Sequence, residues 1–379
     1  MKRILFALLT LVVGVSLWAS NSEIDGWWVY RISDNSVAIT YKGTSPEGEK
    51  EYAGDLVIPE RLYDGTYTYT VVKIGDYTFW GCTGMTSLTI PSTVTSIGEF
   101  AFESCTSLKT VTIEGSGLTT IGRSAFSNCN VLTEIILPTS LESIGDDAFA
   151  SCYELSAITI PGLVTSIGKR AFMFCSALQS INVYANNPAY SSLSGVLFDK
   201  EQTKLVCYPI GKTVTTYTVP ATVREIGVYA FESAKKLTTI NLPDSLKLIS
   251  EGAFYNCSSL TKITIPALVD TIRDRAFYWC EGLTSITCKA VIPPVCNENK
   301  YCFYDVDKSI PVYVPAESVA VYQGAPVWHE FTNIQAIPEE EGIESIQTGN
   351  RQGTKVIENG VLYIERNGRT FTIQGQEVK

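Results

Sequence analysis

The sequence predicts an α+β repeat solenoid, and three observations support this prediction. First, four similar segments follow one another without a gap, starting at Val94, Leu118, Leu141 and Val164. Second, each segment holds an Ile-Gly pair, then Ala-Phe–x–x–Cys, then a Leu–x–x–Ile–x–Ile-like run. Third, the Phe of this pattern recurs along most of the chain, at Phe79, Phe102, Phe126, Phe149, Phe172, Phe231, Phe254 and Phe277.

The step between these phenylalanines is nearly constant, with one exception. From Phe172 to Phe231 the step is more than twice the regular one, so one repeat carries an insertion at about residues 184–218. The insertion is predicted to form a β-hairpin that either continues the stack or stands out as a separate arm. A period in the twenties with Leu–x–x–Ile–x–Ile in each copy is typical of a leucine-rich-repeat solenoid.

A single repeat cannot bury its own apolar face, but stacked repeats bury their faces against one another. Leu108 and Val111 are predicted to point inward from a short strand, and Phe102 from the turn that returns the chain. We therefore expect a right-handed solenoid with one continuous sheet on one face, short helical turns on the other, and β-rich caps at both ends. The repeated Gly, as at Gly98, is expected to supply a positive φ or a close backbone approach at a corner.

The pattern Ile-Gly–x–x–Ala-Phe–x–x–Cys–x–x–Leu–x–x–Ile–x–(Ile/Leu)-Pro resembles the BspA-type leucine-rich repeat of bacterial surface proteins. The resemblance covers about Val71 to Ala290. It implies an extracellular binding or adhesion protein whose partners are host matrix proteins or other cells. It also favours a C-terminal cap at residues 291–337, and it is compatible with an insertion inside the repeats.

The two ends of the chain differ from the repeats. Residues 1–20 have a basic start and a short apolar run, which predicts a cleaved secretory signal peptide. Residues 21–70 are predicted to form an N-terminal β cap, in which Trp27 and Trp28 either close the core or form a binding platform. The repeats span residues 71–290. Residues 338–379 are predicted to form an acidic linker and a small β tail, which resembles a type IX sorting domain or is a simple structural hairpin.

The composition indicates a folded, acidic chain. The hydrophobic fraction is 45% and the formal net charge is −10. An acidic surface is a poor partner for nucleic acid, which binds basic proteins. No apolar run is long enough to predict a transmembrane segment. With the predicted signal peptide, this indicates a secreted or cell-surface protein at the exterior of the outer membrane.

The 11 cysteines are mostly part of the repeat. Their even spacing differs from the paired Cys–x–x–Cys of a zinc site, so no metal site is predicted. In one copy Ala234 replaces the Cys, which indicates a buried, small, apolar position. Cys296 and Cys302 lie outside the repeat and are a possible disulfide. The repeat thiols are Cys82, Cys105, Cys129, Cys152, Cys175, Cys257 and Cys280.

No catalytic residue and no cofactor are predicted. His329 is the single histidine, and it is more typical of a packed cap residue than of a general base. Asp305 and Asp307 could form a carboxylate pair, although a solvated loop is the simpler interpretation. The sequence lacks Gly–x–Ser–x–Gly, His-Glu–x–x–His and a Gly-rich phosphate loop. We therefore expect that the protein is not an enzyme.

Two sets of residues are candidates for ligand binding. Tyr255, Tyr278 and Trp279 are predicted to form an aromatic cluster on the short-helix side, either as a protein-binding patch or as a clamp between turns. The other set points outward from the predicted sheet, where Thr is also simply a good strand residue. Its members are Thr110, Thr112, Thr159, Ser180, Asn182, Thr239 and Asn241.

These features predict a secreted or surface-displayed bacterial binding protein, adhesin-like, whose repeat surface binds host or bacterial proteins. The expected partners are extracellular proteins or other cells, and possibly glycans. The alternative is a glycan-binding accessory protein in polysaccharide uptake.

Overall fold

The computed structural model describes residues 22–41, 52–296 and 301–338, together with the backbone of four strands between residues 354 and 378. The chain divides into two compact units, Met1–Gln335 and Ala336–Lys379. The first unit is a solenoid of about 11 turns, which confirms the predicted repeat architecture. The predicted signal peptide and the acidic residues after Pro338 lie outside the described residues.

Each regular repeat contributes two short strands, and each strand lies in its own sheet. The first strand ends in the Ile of the Ile-Gly pair, and we call its ladder the Ile-Gly sheet. Within the repeats it pairs in parallel, for example Ile97 with Ile121 and Ile121 with Ile144. One part has nine strands: Ser22–Ile24, Trp27–Ser33, Ser36–Ile39, Arg61–Tyr63, Thr68–Ile74, Ser96–Ile97, Thr120–Ile121, Ser143–Ile144 and Ser166–Ile167. A second part has seven: Tyr190–Leu193, Val196–Asp199, Lys204–Cys207, Glu225–Ile226, Leu248–Ile249, Thr271–Ile272 and Val295–Cys296.

The second strand of each repeat forms what we call the Ile-x-Ile sheet. The sequence predicts one continuous sheet here, but the structure divides it into three parts. One division lies where the strand Glu134–Ile135 is unusually short, and the other lies at the insertion. The parts are Ala53–Val57, Gly84–Ile90, Thr110–Ile113 and Glu134–Ile135; then Ala157–Ile160 and Ser180–Val183; then Thr216–Thr218, Thr239–Asn241, Lys262–Ile265, Ser285–Cys288, Val312–Val314 and Ile334–Ala336.

The third side of each repeat, the turn side, holds the Ala-Phe–x–x–Cys segment. Its predicted short helices are instead single hydrogen-bonded turns. The backbone explains this difference, because Phe100 and Ser104 have φ of 56° and 61°, and equivalent residues do the same in other repeats. Two left-handed residues within one such segment interrupt a right-handed helix. In the described residues, helix is confined to the C-terminal end, at Ala316–Ser318 (3₁₀), Val319–Gly324 (α) and Trp328–Glu330 (3₁₀).

The core is organised around two ladders of stacked aromatic rings. From Phe79 to Phe172, neighbouring ring centroids are 5.0 to 5.9 Å apart and nearly parallel. From Tyr208 to Phe303 the spacing is 5.1 to 5.3 Å. Tyr208 stands in the place of the repeat Phe, one regular step before Phe231. The strand Lys204–Cys207 precedes it and pairs in parallel with Glu225–Ile226, so the insertion rejoins the stack at this strand.

Aromatic residues close both ends of the core. At the first ladder, Trp27 meets the edge of Phe79 at 6.5 Å and stacks on Tyr52 at 5.7 Å. At the second, Trp328 and Phe331 pack on Phe303 at 5.3 and 5.4 Å. Trp27 therefore contacts the end of the core, as the cap interpretation requires.

The repeat cysteines join consecutive turns. Six of the seven repeat thiols donate a hydrogen bond to the carbonyl oxygen of the core Phe one turn earlier, at 3.0 to 3.3 Å. The position therefore uses the weak S–H donor as well as the small size predicted from Ala234. Burial raises the pKa of Cys152 and Cys257 to about 12, which makes these thiols unreactive. The donors are Cys105, Cys129, Cys152, Cys175, Cys257 and Cys280.

The repeated Gly is required by close backbone approach and not by a positive φ. A Cβ atom at Gly145 would lie 2.5 Å from the backbone N of Arg123 and 2.6 Å from the carbonyl carbon of Gly122. A similar backbone contact exists at Gly122, against Gly98 at 2.7 Å. Glycines at this corner thus let successive turns of the Ile-Gly sheet approach each other.

The second unit contains a four-stranded antiparallel sheet made of Thr354–Glu358, Val361–Arg366, Arg369–Thr372 and Glu377–Val378. Its first hairpin pairs Glu358 with Val361, and its second pairs Arg366 with Arg369. The predicted Asn-Gly turns at 359–360 and 367–368 fall between these pairs, outside the described residues. The sorting role of this tail stays a prediction.

Candidate functional site

An exposed row of aromatic side chains covers the turn side of the C-terminal repeats. Tyr278 lies between Tyr255 at 5.1 Å and Tyr304 at 4.7 Å, and both contacts are nearly parallel stacks. The Trp279 ring packs at a steep angle against two of these rings. Its centroid lies 5.4 Å from that of Tyr255, with an interplanar angle of 61°, and 5.0 Å from that of Tyr278, with an angle of 66°. We call this row the aromatic strip, and its members are Tyr229, Tyr255, Tyr278, Trp279, Tyr301 and Tyr304.

The repeat register builds the strip. Tyr255, Tyr278 and Tyr304 each come directly after the core Phe of their repeat. Because the core Phe rings stack from turn to turn, the tyrosine rings beside them stack in the same order. Trp279 has φ of 58°, and this left-handed backbone turns its side chain onto the neighbouring rings. The strip reaches solvent, because Trp279 is 39% exposed and Tyr301 and Tyr304 are each 43% exposed.

The strip presents ring edges and hydroxyls to solvent. Both faces of Tyr278 are covered by its neighbours, and one face of Tyr255 is covered by Tyr278. Arg275 lies beside the strip, with its guanidinium carbon 5.8 Å from the centre of the Tyr301 ring. The result is a closely stacked amphipathic surface with the Arg275–Asp274 ion pair, 3.6 Å between Nη1 and Oδ2, at its border.

The polar candidates occupy a different side of the solenoid. Thr110, Thr112, Asn182, Thr239 and Asn241 are exposed on the Ile-x-Ile sheet, and Thr159 and Ser180 are half-buried there. Thr159 pairs with Asn182 in adjacent strands, as the predicted register requires. The division of the sheet separates these residues into three groups. Thr110 alone lies in a groove, with Asp55, Lys109 and Glu154 among its lining residues.

Sequence reasoning identified half of the strip. It missed Tyr229, Tyr301 and Tyr304, although "YAFE" and "YCFY" repeat the spacing of "RAFY". Two of them were overlooked because the step from Phe277 to Phe303 is longer than the regular one, and this irregular step made the repeat seem to end before residue 291. In the structure the Phe303 ring continues the ladder at 5.1 Å.

Where the insertion joins the stack, a cleft opens beside Tyr229. A bidentate ion pair crosses it: Arg170 Nε donates to Glu232 Oε2 at 3.0 Å, and Nη2 donates to Oε1 at 3.1 Å. The Arg170 guanidinium also covers the ring of Tyr229 at 3.6 Å. Only 5% of the Glu232 side chain is exposed. Burial raises the pKa of Glu232 to about 7, against the opposing effect of Arg170.

This shift predicts a pH-dependent stability. The pKa of Glu232 is higher in the folded chain than its ordinary value of 4.5, so the folded state takes up the proton first. The free energy of unfolding should therefore rise by about 1.4 kcal/mol when the pH falls from 8 to 6. This contribution is complete below the ordinary pKa and is lost as the pH rises through 7. Urea titrations at both pH values measure it.

The control for that measurement is Glu232→Gln, which removes the ionisable group and keeps its shape. Burial also raises the pKa of Glu103 and Asp147, so the difference between wild type and variant isolates Glu232. An equal pH dependence of stability in the wild type and in Glu232→Gln would show that groups other than Glu232 cause the effect.

Cys296 and Cys302 are thiols in the structure, and their side chains are hydrogen-bonded to each other. Cys302 also donates to the carbonyl oxygen of Arg273 at 3.3 Å. The predicted disulfide between them stays a prediction.

The residues considered for catalysis lie near the C-terminal end of the solenoid. The packed position expected for His329 is wrong: its side chain is exposed, and its Nδ1 lies 3.1 Å from the carbonyl oxygen of Ala325. Asp307 accepts hydrogen bonds from the backbone N and hydroxyl of Ser309, which lowers its pKa. The part of the chain that the structure describes holds no cluster of metal-ligating side chains. Across the same residues, no helix is both long and apolar enough to cross a bilayer.

The repeat pattern matches the family described as the BspA type leucine-rich repeat region, in six copies over residues 72–194 and 208–325. The chain belongs to the BspA-type leucine-rich repeat family. Leucine-rich-repeat proteins are typically non-enzymatic scaffolds. No curated protein matches the sequence significantly.

Solved structures show the same fold. A leucine-rich repeat protein from Eubacterium ventriosum is 23% identical with a TM-score of 0.62, over 83% of each chain. The pneumococcal vaccine antigen PcpA is 21% identical with a TM-score of 0.58, over 84% of this chain and 99% of its own. At these identities the similarity establishes the solenoid of this BspA-type protein and leaves its ligand open.

Proposed function

We propose that this BspA-type repeat protein is a surface-displayed bacterial binding protein that holds a protein partner through the aromatic strip and catalyses no reaction. The observation behind the proposal is the strip itself. Tyr and Trp dominate the energetics of protein interfaces, because they bring large contact area and hydrogen-bonding tips at low entropic cost. The family and the predicted signal peptide support a position outside the cell.

The geometry of the strip favours a protein over a glycan. A sugar ring usually binds flat against an open aromatic face, and the faces of Tyr278 are covered by its neighbours. A row of ring edges and hydroxyls suits the mixed apolar and polar surface of a folded protein. The outward positions of the Ile-x-Ile sheet are mostly Thr, Ser and Asn, with Tyr313 beside Thr287 near the C-terminal end, and Ser and Thr are under-represented among binding hot spots.

A binding screen against host matrix proteins, bacterial cells and glycans tests this function. We expect saturable binding to a protein, and we expect Tyr278→Ala combined with Trp279→Ala to weaken it by about thirtyfold. The matched control is Thr159→Ala combined with Asn182→Ala, on the Ile-x-Ile sheet, which should leave the affinity unchanged.

Three results would contradict the proposal. Loss of binding in the Thr159 and Asn182 variant alone would move the site to the sheet. Binding restricted to glycans would favour the accessory protein of polysaccharide uptake. The absence of saturable binding to matrix proteins, bacterial cells and glycans alike would refute the binding function. Thermal unfolding of both variants verifies that they are folded.

A further inference from the structure

Each regular turn places two apolar side chains in the core at the corner that follows the Ile-Gly strand. These are the Ile of the strand and the Ala before the core Phe, and both are fully buried at Ile272 and Ala276. In the turn that holds Phe303, which we call the last turn, the same two register positions hold Cys296 and Cys302. Among the described turns, both positions are cysteine in this turn alone.

The two thiols lie side by side in the core. Cys296 is 5% exposed and Cys302 is fully buried. Their side chains are hydrogen-bonded to each other. Cys302 Sγ also lies 3.5 Å from the carbonyl oxygen of Ile272, the residue that pairs with Cys296 in the sheet. Two separate contacts therefore place the thiols within reach of each other.

A third thiol in this part of the core already has a partner. The Tyr322 hydroxyl is hydrogen-bonded to Cys288 Sγ at 3.1 Å, and it also donates to the carbonyl oxygen of Ala290 at 2.7 Å. Tyr322 is fully buried, so these contacts are shielded from water. Cys288 is thus held by Tyr322, and Cys296 and Cys302 are left to pair with each other.

Cys302 lies within the C-terminal end of the aromatic strip, one residue after Tyr301 and two before Tyr304. The backbone of the last turn also anchors the preceding turn. The N–H of Phe277 donates to the carbonyl oxygen of Cys302 at 2.8 Å, and the N–H of Trp279 donates to that of Tyr304 at 3.0 Å. A covalent bond between Cys302 and the last strand of the Ile-Gly sheet would therefore fix the backbone on which Trp279 is anchored.

We propose that Cys296 and Cys302 form a disulfide cross-link that fixes the last turn and, with it, the C-terminal end of the aromatic strip. An organic disulfide is the oxidant. One cysteine thiolate attacks it to give a mixed disulfide, and the second thiolate then displaces the remaining small thiolate. Two cysteine thiols and one organic disulfide thus give one protein disulfide and two small thiols, which take up the two protons.

Burial determines when this bond forms. The contact with Cys302 and the burial of the side chain raise the pKa of Cys296, so the reactive thiolate is scarce in the folded protein. We expect oxidation while the chain folds or when the last turn opens, and slow reduction afterwards. The predicted position outside the cell is one in which disulfides persist. Any effect of the cross-link on partner binding rests on the proposed function, whereas the cross-link itself does not.

Refolding of the full chain with oxidised glutathione tests the bond. Free thiols are alkylated under denaturing conditions before digestion, and peptide mass spectrometry then identifies the linked cysteines. We expect Cys296 linked to Cys302 and the repeat cysteines alkylated. A link from either residue to Cys288, or alkylation of both Cys296 and Cys302, would overturn the proposal.

Amide hydrogen exchange tests whether the bond fixes the last turn. The peptide that contains Phe277 and Trp279 should exchange about tenfold more slowly in the oxidised protein than after reduction with dithiothreitol. The reason is that these two N–H groups exchange only when the last turn, which accepts their hydrogen bonds, opens. Equal exchange in the oxidised and reduced proteins would refute the role of the cross-link.

The matched control is Cys296→Ile combined with Cys302→Ala, which restores the two residues found at these positions in the preceding turn. This variant should exchange at the same rate with and without dithiothreitol. A response equal to that of the wild type would mean that another cysteine causes the effect, and the assignment would be wrong. Partner binding is measured separately, so a strip that binds nothing would contradict the proposed function without changing the outcome for the cross-link.

Discussion

Replacing Phe126 by alanine should lower the free energy of unfolding by about 3–5 kcal/mol, the range for removing a buried Phe side chain. Phe126 is fully buried between Phe102 at 5.2 Å and Phe149 at 5.5 Å. Its loss leaves a cavity in the middle of the first ladder and removes two stacked contacts. Because the ladder is continuous, neither neighbour can move to fill the space without leaving its own turn. Urea unfolding followed by circular dichroism measures the change.

The matched control for Phe126 is Phe100→Ala. Phe100 is half-buried on the turn side and stacks on Tyr77 at 4.8 Å. Its removal opens no internal cavity, so we expect a loss of about 1 kcal/mol. Similar losses for the two variants would show that the ladder is not the main source of stability.

The variant Gly145→Ala should destabilise the protein by about 1–3 kcal/mol, the usual cost of an overpacked contact. The added Cβ would meet backbone atoms of Arg123 and Gly122, which can move only if two turns separate. Thermal unfolding measures the effect. Arg273→Ala provides the control, since Arg273 already has a Cβ at this register and is exposed. If Gly145→Ala left the melting temperature unchanged, the close approach would not limit the stacking of turns.

The period of the sequence was sufficient to predict the core, because each buried position is repeated many times. Phe102, Cys105, Leu108 and Ile97 are buried as their spacing requires. The turn side was predicted less well. Helical propensity does not reveal the left-handed residues on this side. Phe100 and Trp279 have positive φ angles because the stacking of turns requires this conformation, and not because their residue types favour it.

The candidate sites were predictable only where they follow the repeat. Tyr255, Tyr278 and Trp279 occupy register positions, so their juxtaposition could be read from the sequence. Arg170 and Glu232 are 62 residues apart and lie on opposite sides of the insertion. No periodic pattern joins them, and their contact depends on how the inserted strands return the chain to the stack.

The cysteine of each repeat also marks a position along the solenoid axis. Cys129, Cys152, Cys175 and Cys257 are fully buried, so an alkylating reagent reaches each one only when its own turn opens. Mass spectrometry of the labelled peptides would then resolve the opening rate of each turn separately. The cysteines thus act as built-in probes of local unfolding. Their labelling rates would give the order in which the turns open, and would show whether opening begins at the ends of the solenoid or at the insertion.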